Sequence, residues 1–260
     1  MNSMRLIDVH CHLESDLYKY NLDEIIRESN EAGIIKLITS SIIPEQWPLS
    51  QQISEKYESV EFALGIHPWY IKKEYYHLLS GLNNISSTGA CAIGEIGLDK
   101  KIDKTDFELQ INFFETQLEI AGNAGIPVIV HCRGAYNELI EILKKFNNSK
   151  ISGIIHSFSG NAEIAKILIK YNFSFSFGGA LTYRNSKKKQ EALKIIYPDY
   201  FLLETDSPDI PPVELNGGTN FPKHIHYNLL AASEIIGLPA EEIAETSVLN
   251  ASEIFRFNIA

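Results

Sequence analysis

The sequence predicts a single (β/α)8 barrel over residues 1–260, with its chemistry at the C-terminal ends of the strands. Three observations carry that prediction. Short apolar runs alternate with amphipathic segments from one end of the chain to the other, the pattern of a parallel sheet covered by helices. The runs number eight. The length of 260 residues suits one closed barrel, for which about 250 is typical.

The runs are Leu6–Val9, Ile34–Thr39, Val60–Ile66, Ala90–Ile96, Pro127–Val130, Gly153–Ile155, Phe173–Phe177 and Phe201–Leu203. Most are β-branched or aromatic on both faces, as strands covered on both sides must be. After the first run, Asn21 reads as an N-cap with Glu24 three residues on, and Gly33 ends the helix. Thr105 and Glu108 form a capping-box pattern. Phe107, Ile111, Phe114 and Leu118 follow at helical spacing, and Gly122 and Gly125 mark the exit. Further helices are expected over Glu163–Lys170, Ser186–Ile196, Ile225–Ile236 and Glu241–Phe255. An open doubly wound sheet is the competing architecture, but no G-x-G-x-x-G follows the first strand. Ser207–Pro222, with four prolines and two glycines, reads as a long functional loop after the last strand.

Composition bounds the function. A chain 45% hydrophobic and 22% charged is a globular protein, not a disordered or coiled-coil one. No apolar stretch reaches the roughly 18 residues of a membrane span, so no membrane role is expected. Arg5 followed by Asp8 is not the start of a signal peptide. Three sparse cysteines, Cys11, Cys91 and Cys132, suit a reducing cytoplasm. The oligomeric state is open, and a monomer is compatible with all of this. A net charge of −10 excludes a generally basic nucleic-acid glove. Positive charge for a phosphate would have to be local, and a metal cluster would supply it.

Five of the eight histidines, His10, His12, His67, His131 and His156, fall at the ends of predicted strands. In a parallel barrel those ends share one face. Asp8, His10 and His12 lie on one side of the first strand by its two-residue period, with Ile7, Val9 and Cys11 on the other. Buried polar groups need partners, and a divalent cation on His10 and His12 provides one. Glu95, flanked by Gly94 and Gly97, points into the mouth, where a carboxylate can bridge two cations. His131 suits a metal, whereas Cys132 alternates away from it. A tyrosine-phosphatase loop is excluded, because Glu138 stands where its arginine belongs. Arg133 is a candidate phosphate or carboxylate clamp, or one half of a structural salt bridge. His156 ends the sixth strand, and the small residues from Ser157 onward could turn N–H groups toward an anion. Asp206 can ligate a metal and orient or deprotonate the attacking water, with Glu204 behind it. His67 either contacts substrate or packs in a turn before Pro68. Trp69 and Tyr183 fall near the mouth, at its edge or against a base.

Taken in order, DVHCH (8–12), GIHP (65–68), GEIGLD (94–99), PVIVHCR (127–133), HSFSG (156–160), ETDSP (204–208), Asn220-x-Pro222 and a closing Asn250…Phe255 resemble the TatD family of metal-dependent deoxyribonucleases. That family lies within the metallo-dependent hydrolase superfamily. The resemblance covers essentially the whole chain. It implies a barrel with two divalent metal ions, Mg²⁺, Mn²⁺ or Zn²⁺. His10, His12 and Asp206 would hold one ion, His131 and His156 the other, and Glu95 would bridge them. It also implies phosphodiester hydrolysis by a metal-activated water, with nucleic acid as substrate, DNA favoured, in single strands or from ends. Asp206, Glu95 and Arg133 would be the catalytic residues, and His67, Arg133, Ser157 and Asn220 the substrate contacts. Gly217-Gly218-Thr219 stand where the family often has basic residues, which removes possible phosphate contacts. Two other readings fit the same residues. One is a metal-dependent hydrolase of an amide, ester or lactone. The other is a non-catalytic barrel within a nuclease assembly.

Overall fold

The computed structural model describes residues 4–146, 151–183 and 187–259. Eight parallel strands follow one another in chain order: β1 (Leu6–Cys11), β2 (Ile34–Ser40), β3 (Val60–Leu64), β4 (Ala92–Asp99), β5 (Val128–Arg133), β6 (Gly153–Ile155), β7 (Phe173–Phe177) and β8 (Phe201–Leu203). The circle is joined just past the end of β8. There Asp206 N–H donates to the His10 carbonyl at 2.9 Å, and His12 N–H donates to the Ser207 carbonyl at 2.8 Å. Asp8 reinforces this seam by accepting from the Thr205 N–H at 2.9 Å and the Thr205 hydroxyl at 2.5 Å. The architecture is the barrel that the alternating pattern predicts.

The helices are α1 (Leu22–Glu31), α2 (Trp47–Lys56), α3 (Phe107–Ala124), α4 (Tyr136–Lys145), α5 (Ala162–Ile169), α6 (Lys187–Ile196), α7 (Ile225–Ile236) and α8 (Ala240–Phe255). Between β3 and β4 the crossover is a 3-10 segment, Lys73–Ser87. The sequence pattern does not show α2 or α4. Of α2 only Ser50 and Ile53 are buried, too few to make a periodic face. In α4 the block Leu139, Ile140, Ile142, Leu143 is as consistent with a short buried strand as with a helix. The capping of α3 is shifted by one residue. Asp106, not Thr105, accepts from the Leu109 N–H at 2.9 Å. Thr105 instead donates to the Pro68 carbonyl at 2.8 Å. The helix runs through Gly122 and ends at Gly125, which has φ +66°. The expected start of α6 at Ser186 lies outside the described residues.

The core has two parts. Phe113, Phe114 and Leu118 of α3 belong to the larger cluster with Phe173, Phe175, Phe177 and Phe201. A second cluster contains Ile38, Ala63, Ala92, Ile129, Ile154 and Leu202. Ile129, Ile154 and Leu202 each stand two residues before His131, His156 and Glu204, so alternation places them on the same face. They form an apolar floor beneath the polar mouth. Each fully buried isoleucine contributes about 1.5–3 kcal/mol, which helps offset the cost of collecting charges above it. On β1 strict alternation fails. The register shifts between Asp8 and Cys11, so Ile7 and Val9 join the second cluster and Cys11 the first.

Candidate metal centre

Close approach of three strands carries Glu95 into the mouth. A Cβ on Gly97 would fall 1.9 Å from the His131 carbonyl oxygen, and Gly97 has φ +144°. A Cβ on Gly65 would meet the Gly94 carbonyl carbon at 2.7 Å and the Glu95 oxygen at 2.8 Å. Only glycine permits these backbones to pass so near one another. Glu95 itself is 2% exposed.

Its two oxygens face different partners. Oε2 lies 3.4 Å from His10 Nε2 and 3.6 Å from His12 Nε2. Oε1 lies 2.8 Å from His156 Nε2, 3.1 Å from His67 Nε2 and 3.2 Å from His131 Nδ1. Asp206 Oδ1 completes the first side, 3.4 Å from His10 Nε2 and 3.5 Å from His12 Nε2. Asp206 reaches that position with φ +56°, a left-handed backbone that the seam hydrogen bonds hold in place. Three triplets of donor atoms lie within 4.8 Å of one another: His10, His12, Glu95; His10, His156, Asp206; and His67, Glu95, His131.

Hydrogen bonds on the far side of each ring decide which nitrogen is free. His12 Nδ1 faces the Ser40 carbonyl at 2.8 Å, so it carries the proton and Nε2 keeps its lone pair for a cation. Glu14 stands behind the same ring, its Oε1 3.4 Å from His12 Nδ1. His131 Nε2 faces Asp99 Oδ2 at 3.1 Å, which leaves Nδ1 toward Glu95. His67 is the opposite case. The Trp69 N–H donates to its Nδ1 at 3.1 Å, so the proton sits on Nε2 and points at Glu95. His67 therefore braces the carboxylate as a donor, and its lone pair is not offered to a cation. At 5% exposure it does not present a free edge to substrate either.

Burial disfavours charge throughout, and the carboxylates oppose it. At His10 they prevail and push the pKa up to about 10, with Glu95 the largest contributor. At His131 they push it up to about 9, through Asp99 and Glu95. Burial prevails at His67, which falls to about 4. Glu95 is held well below the usual carboxylate range, against its burial, by the surrounding imidazoles. Glu204 is pushed up to about 8 by burial. Among the described residues, both ring nitrogens of His10 and Nδ1 of His156 are buried without a hydrogen-bond partner. Unsatisfied buried nitrogens are costly, and a divalent cation taking a lone pair of His10 would relieve that cost. The donor set of imidazoles and carboxylates fits such an ion.

Other expected contacts have different roles. Ser157 has φ 44°, and its N–H is given to Glu204 Oε1 at 2.7 Å. The acceptor at this turn is thus the protein's own carboxyl group, and Ser176 donates to its other oxygen at 2.5 Å. Asn220 is fully buried, its amide donating to the carbonyls of Thr205 at 2.9 Å and Asp209 at 2.8 Å. It anchors the loop after β8 and has no donor left for substrate. That loop is tied on both sides. Tyr18 donates to the Asn220 carbonyl at 2.6 Å, Val213 N–H to Thr182 Oγ1 at 2.8 Å and Tyr183 to the Pro211 carbonyl at 3.1 Å.

The sequence reading missed Asp99. It is fully buried and accepts from Trp69 Nε1 at 2.6 Å, the Lys101 N–H at 2.7 Å, His131 Nε2 at 3.1 Å and Arg133 Nε at 3.2 Å. Its position two and four residues beyond Gly97 and Glu95 was the available signal, since β4 repeats every two residues. Arg133 makes the structural salt bridge of its two alternatives. Nε makes the salt bridge, while the side chain is 45% exposed and its guanidinium lies 5.3 Å from the Trp69 ring centre.

A parallel barrel that gathers imidazoles and carboxylates at its strand ends is the scaffold of a metal-dependent hydrolase. The chain belongs to the TatD family, matching the model described as TatD related DNase over residues 7–256. It is 32% identical over 254 residues to YabD, an uncharacterised metal-dependent hydrolase of Bacillus subtilis strain 168, covering 97% of this chain and 100% of YabD. The crystal structure of YjjV, a TatD homologue from Escherichia coli K12, is similar with a TM-score of 0.91 at 28% identity, covering 98% and 99% of the two chains. A TatD family hydrolase from Entamoeba histolytica shares the fold, with a TM-score of 0.83 at 19% identity over 97% of this chain and 98% of that one. Among the described residues no helix is long and apolar enough to cross a membrane.

Proposed function

We propose that this hydrolase cleaves phosphodiester bonds in DNA, in single strands or from ends, at a site for two divalent cations. The observation that carries the reading is the division of Glu95, with Oε2 toward His10 and His12 and Oε1 toward His131 and His156. His10, His12 and Asp206 would hold one ion and His131 and His156 the other, with Glu95 between. Bound there, Mg²⁺, Mn²⁺ or Zn²⁺ would supply positive charge for the phosphate and acidify the attacking water. Against Glu95 and Asp206, two such ions leave a positive pocket in a chain of net charge −10. That favours an anionic substrate.

The chain's own groups then divide the work. Asp206 orients the water and takes its proton. His67 donates to Glu95 Oε1 and fixes the carboxylate. Arg133 turns the outer edge of its guanidinium to solvent, where it can pair with a phosphate oxygen. The apolar floor keeps water away from below. The decisive experiment compares end-labelled single-stranded DNA with amide, ester and lactone panels, before and after EDTA. DNA cleavage lost with EDTA and restored by Mg²⁺, Mn²⁺ or Zn²⁺ is expected. Cleavage persisting in metal-free protein, or acyl turnover without DNA cleavage, would refute the proposal.

A further inference from the structure

Asp99 stands outside the donor set, yet groups from both the metal centre and the rim converge on it. His131 can offer a cation either ring nitrogen, and the acceptor at Nε2 selects Nδ1. The Trp69 indole has a single N–H, and it donates to the same oxygen, Oδ2. Arg133 Nε pairs with this carboxylate too, and the guanidinium lies over the Trp69 ring. The main-chain N–H of Trp69 also sets the proton position on His67, whose Nε2 points at Glu95. Trp69 and Arg133 are thus tied, through Asp99 and a main-chain N–H, to two imidazoles that face the same carboxylate oxygen.

We propose that Asp99 is a positioning residue that joins the metal centre to the substrate rim, holding His131 with Nδ1 inward and the Trp69–Arg133 pair over the mouth. The cation half stands on the hydrogen bonds alone, while the substrate half rests on the phosphodiesterase reading. Loss of such an outer partner typically weakens metal affinity about 10- to 100-fold.

The test uses the full chain loaded with Zn²⁺, which is diamagnetic, and labelled with ¹⁵N-histidine. Long-range ¹H–¹⁵N spectra of the wild type should show His131 protonated at Nε2 and coordinated through Nδ1. Calorimetric titration with Zn²⁺ alone should show Asp99→Asn weakened about 10- to 100-fold. Trp69→Phe removes the indole donor and leaves the His131 bond. It should bind Zn²⁺ like the wild type while raising KM for a single-stranded oligonucleotide. Coordination of His131 through Nε2, or wild-type Zn²⁺ affinity in a folded Asp99→Asn, would overturn the proposal. If Asp99→Asn does not fold, the wild-type spectrum decides alone. If the wild type cleaves no DNA, the phosphodiesterase reading falls while the spectra and titrations still judge Asp99.

Discussion

Replacing Asp8 with alanine should loosen the barrel at its seam. Asp8 and Thr205 are both fully buried, and Asp8 accepts from the Thr205 N–H at 2.9 Å and hydroxyl at 2.5 Å. Leaving a buried donor unpaired costs about 1–3 kcal/mol, so two cost about 2–6. Removing a carboxyl group that burial already disfavours, with its pKa pushed up to about 7, returns part of this. A net loss of about 3 kcal/mol is expected. For a domain of this size that lowers the melting temperature by roughly 6–12 °C. Scanning calorimetry on chelated protein reads the shift. Thr205→Val removes the hydroxyl alone, and the double variant should cost about 1 kcal/mol less than the two single costs added. Asp23→Ala breaks an exposed pair with Lys56 and should leave melting unchanged. A melting point for Asp8→Ala within about 2 °C of wild type would refute the seam argument, as would strict additivity. Because Asp206 follows Thr205 and is bonded to the His10 carbonyl, Asp8→Ala should weaken metal binding as well.

Three further outcomes follow from the site. Glu95→Gln should lose metal and activity together, read by elemental analysis beside an oligonucleotide assay, and a variant keeping both would exclude Glu95 as the bridge. Asp206→Asn should lower kcat by about 10²–10⁴-fold while retaining at least one ion, since it removes a proton acceptor rather than the whole site. Arg133→Ala should raise KM for single-stranded DNA about five- to tenfold, the value of one half-exposed charged hydrogen bond, with kcat much less affected. An unchanged KM would confine Arg133 to its salt bridge with Asp99.

The strands were legible because a barrel strand covered on both faces must be largely apolar, and runs such as Phe201–Leu203 and Val128–Val130 have few other uses. The convergence of His10, His12, Glu95, His131, His156 and Asp206 was legible because imidazoles at several strand ends are costly unless something satisfies them. What escaped depends on partners distant in sequence. The roles of His67 and His131 are set by a main-chain N–H of Trp69 and by Asp99, neither of which shows in residue type. Asn220 looked like a substrate contact because it closes a loop motif, yet it spends its amide on Thr205 and Asp209. Thr105 and Asp106 are both capping residues, and only the path back to Pro68 decides between them.

The span from Ser207 to Pro222 has the length and proline content of a flap, but Tyr18, Thr182 and Tyr183 pin it to segments on either side. On this side the rim is therefore fastened at both flanks rather than hinged. For the proposed phosphodiesterase, the consequence is a rim that its substrate meets already formed.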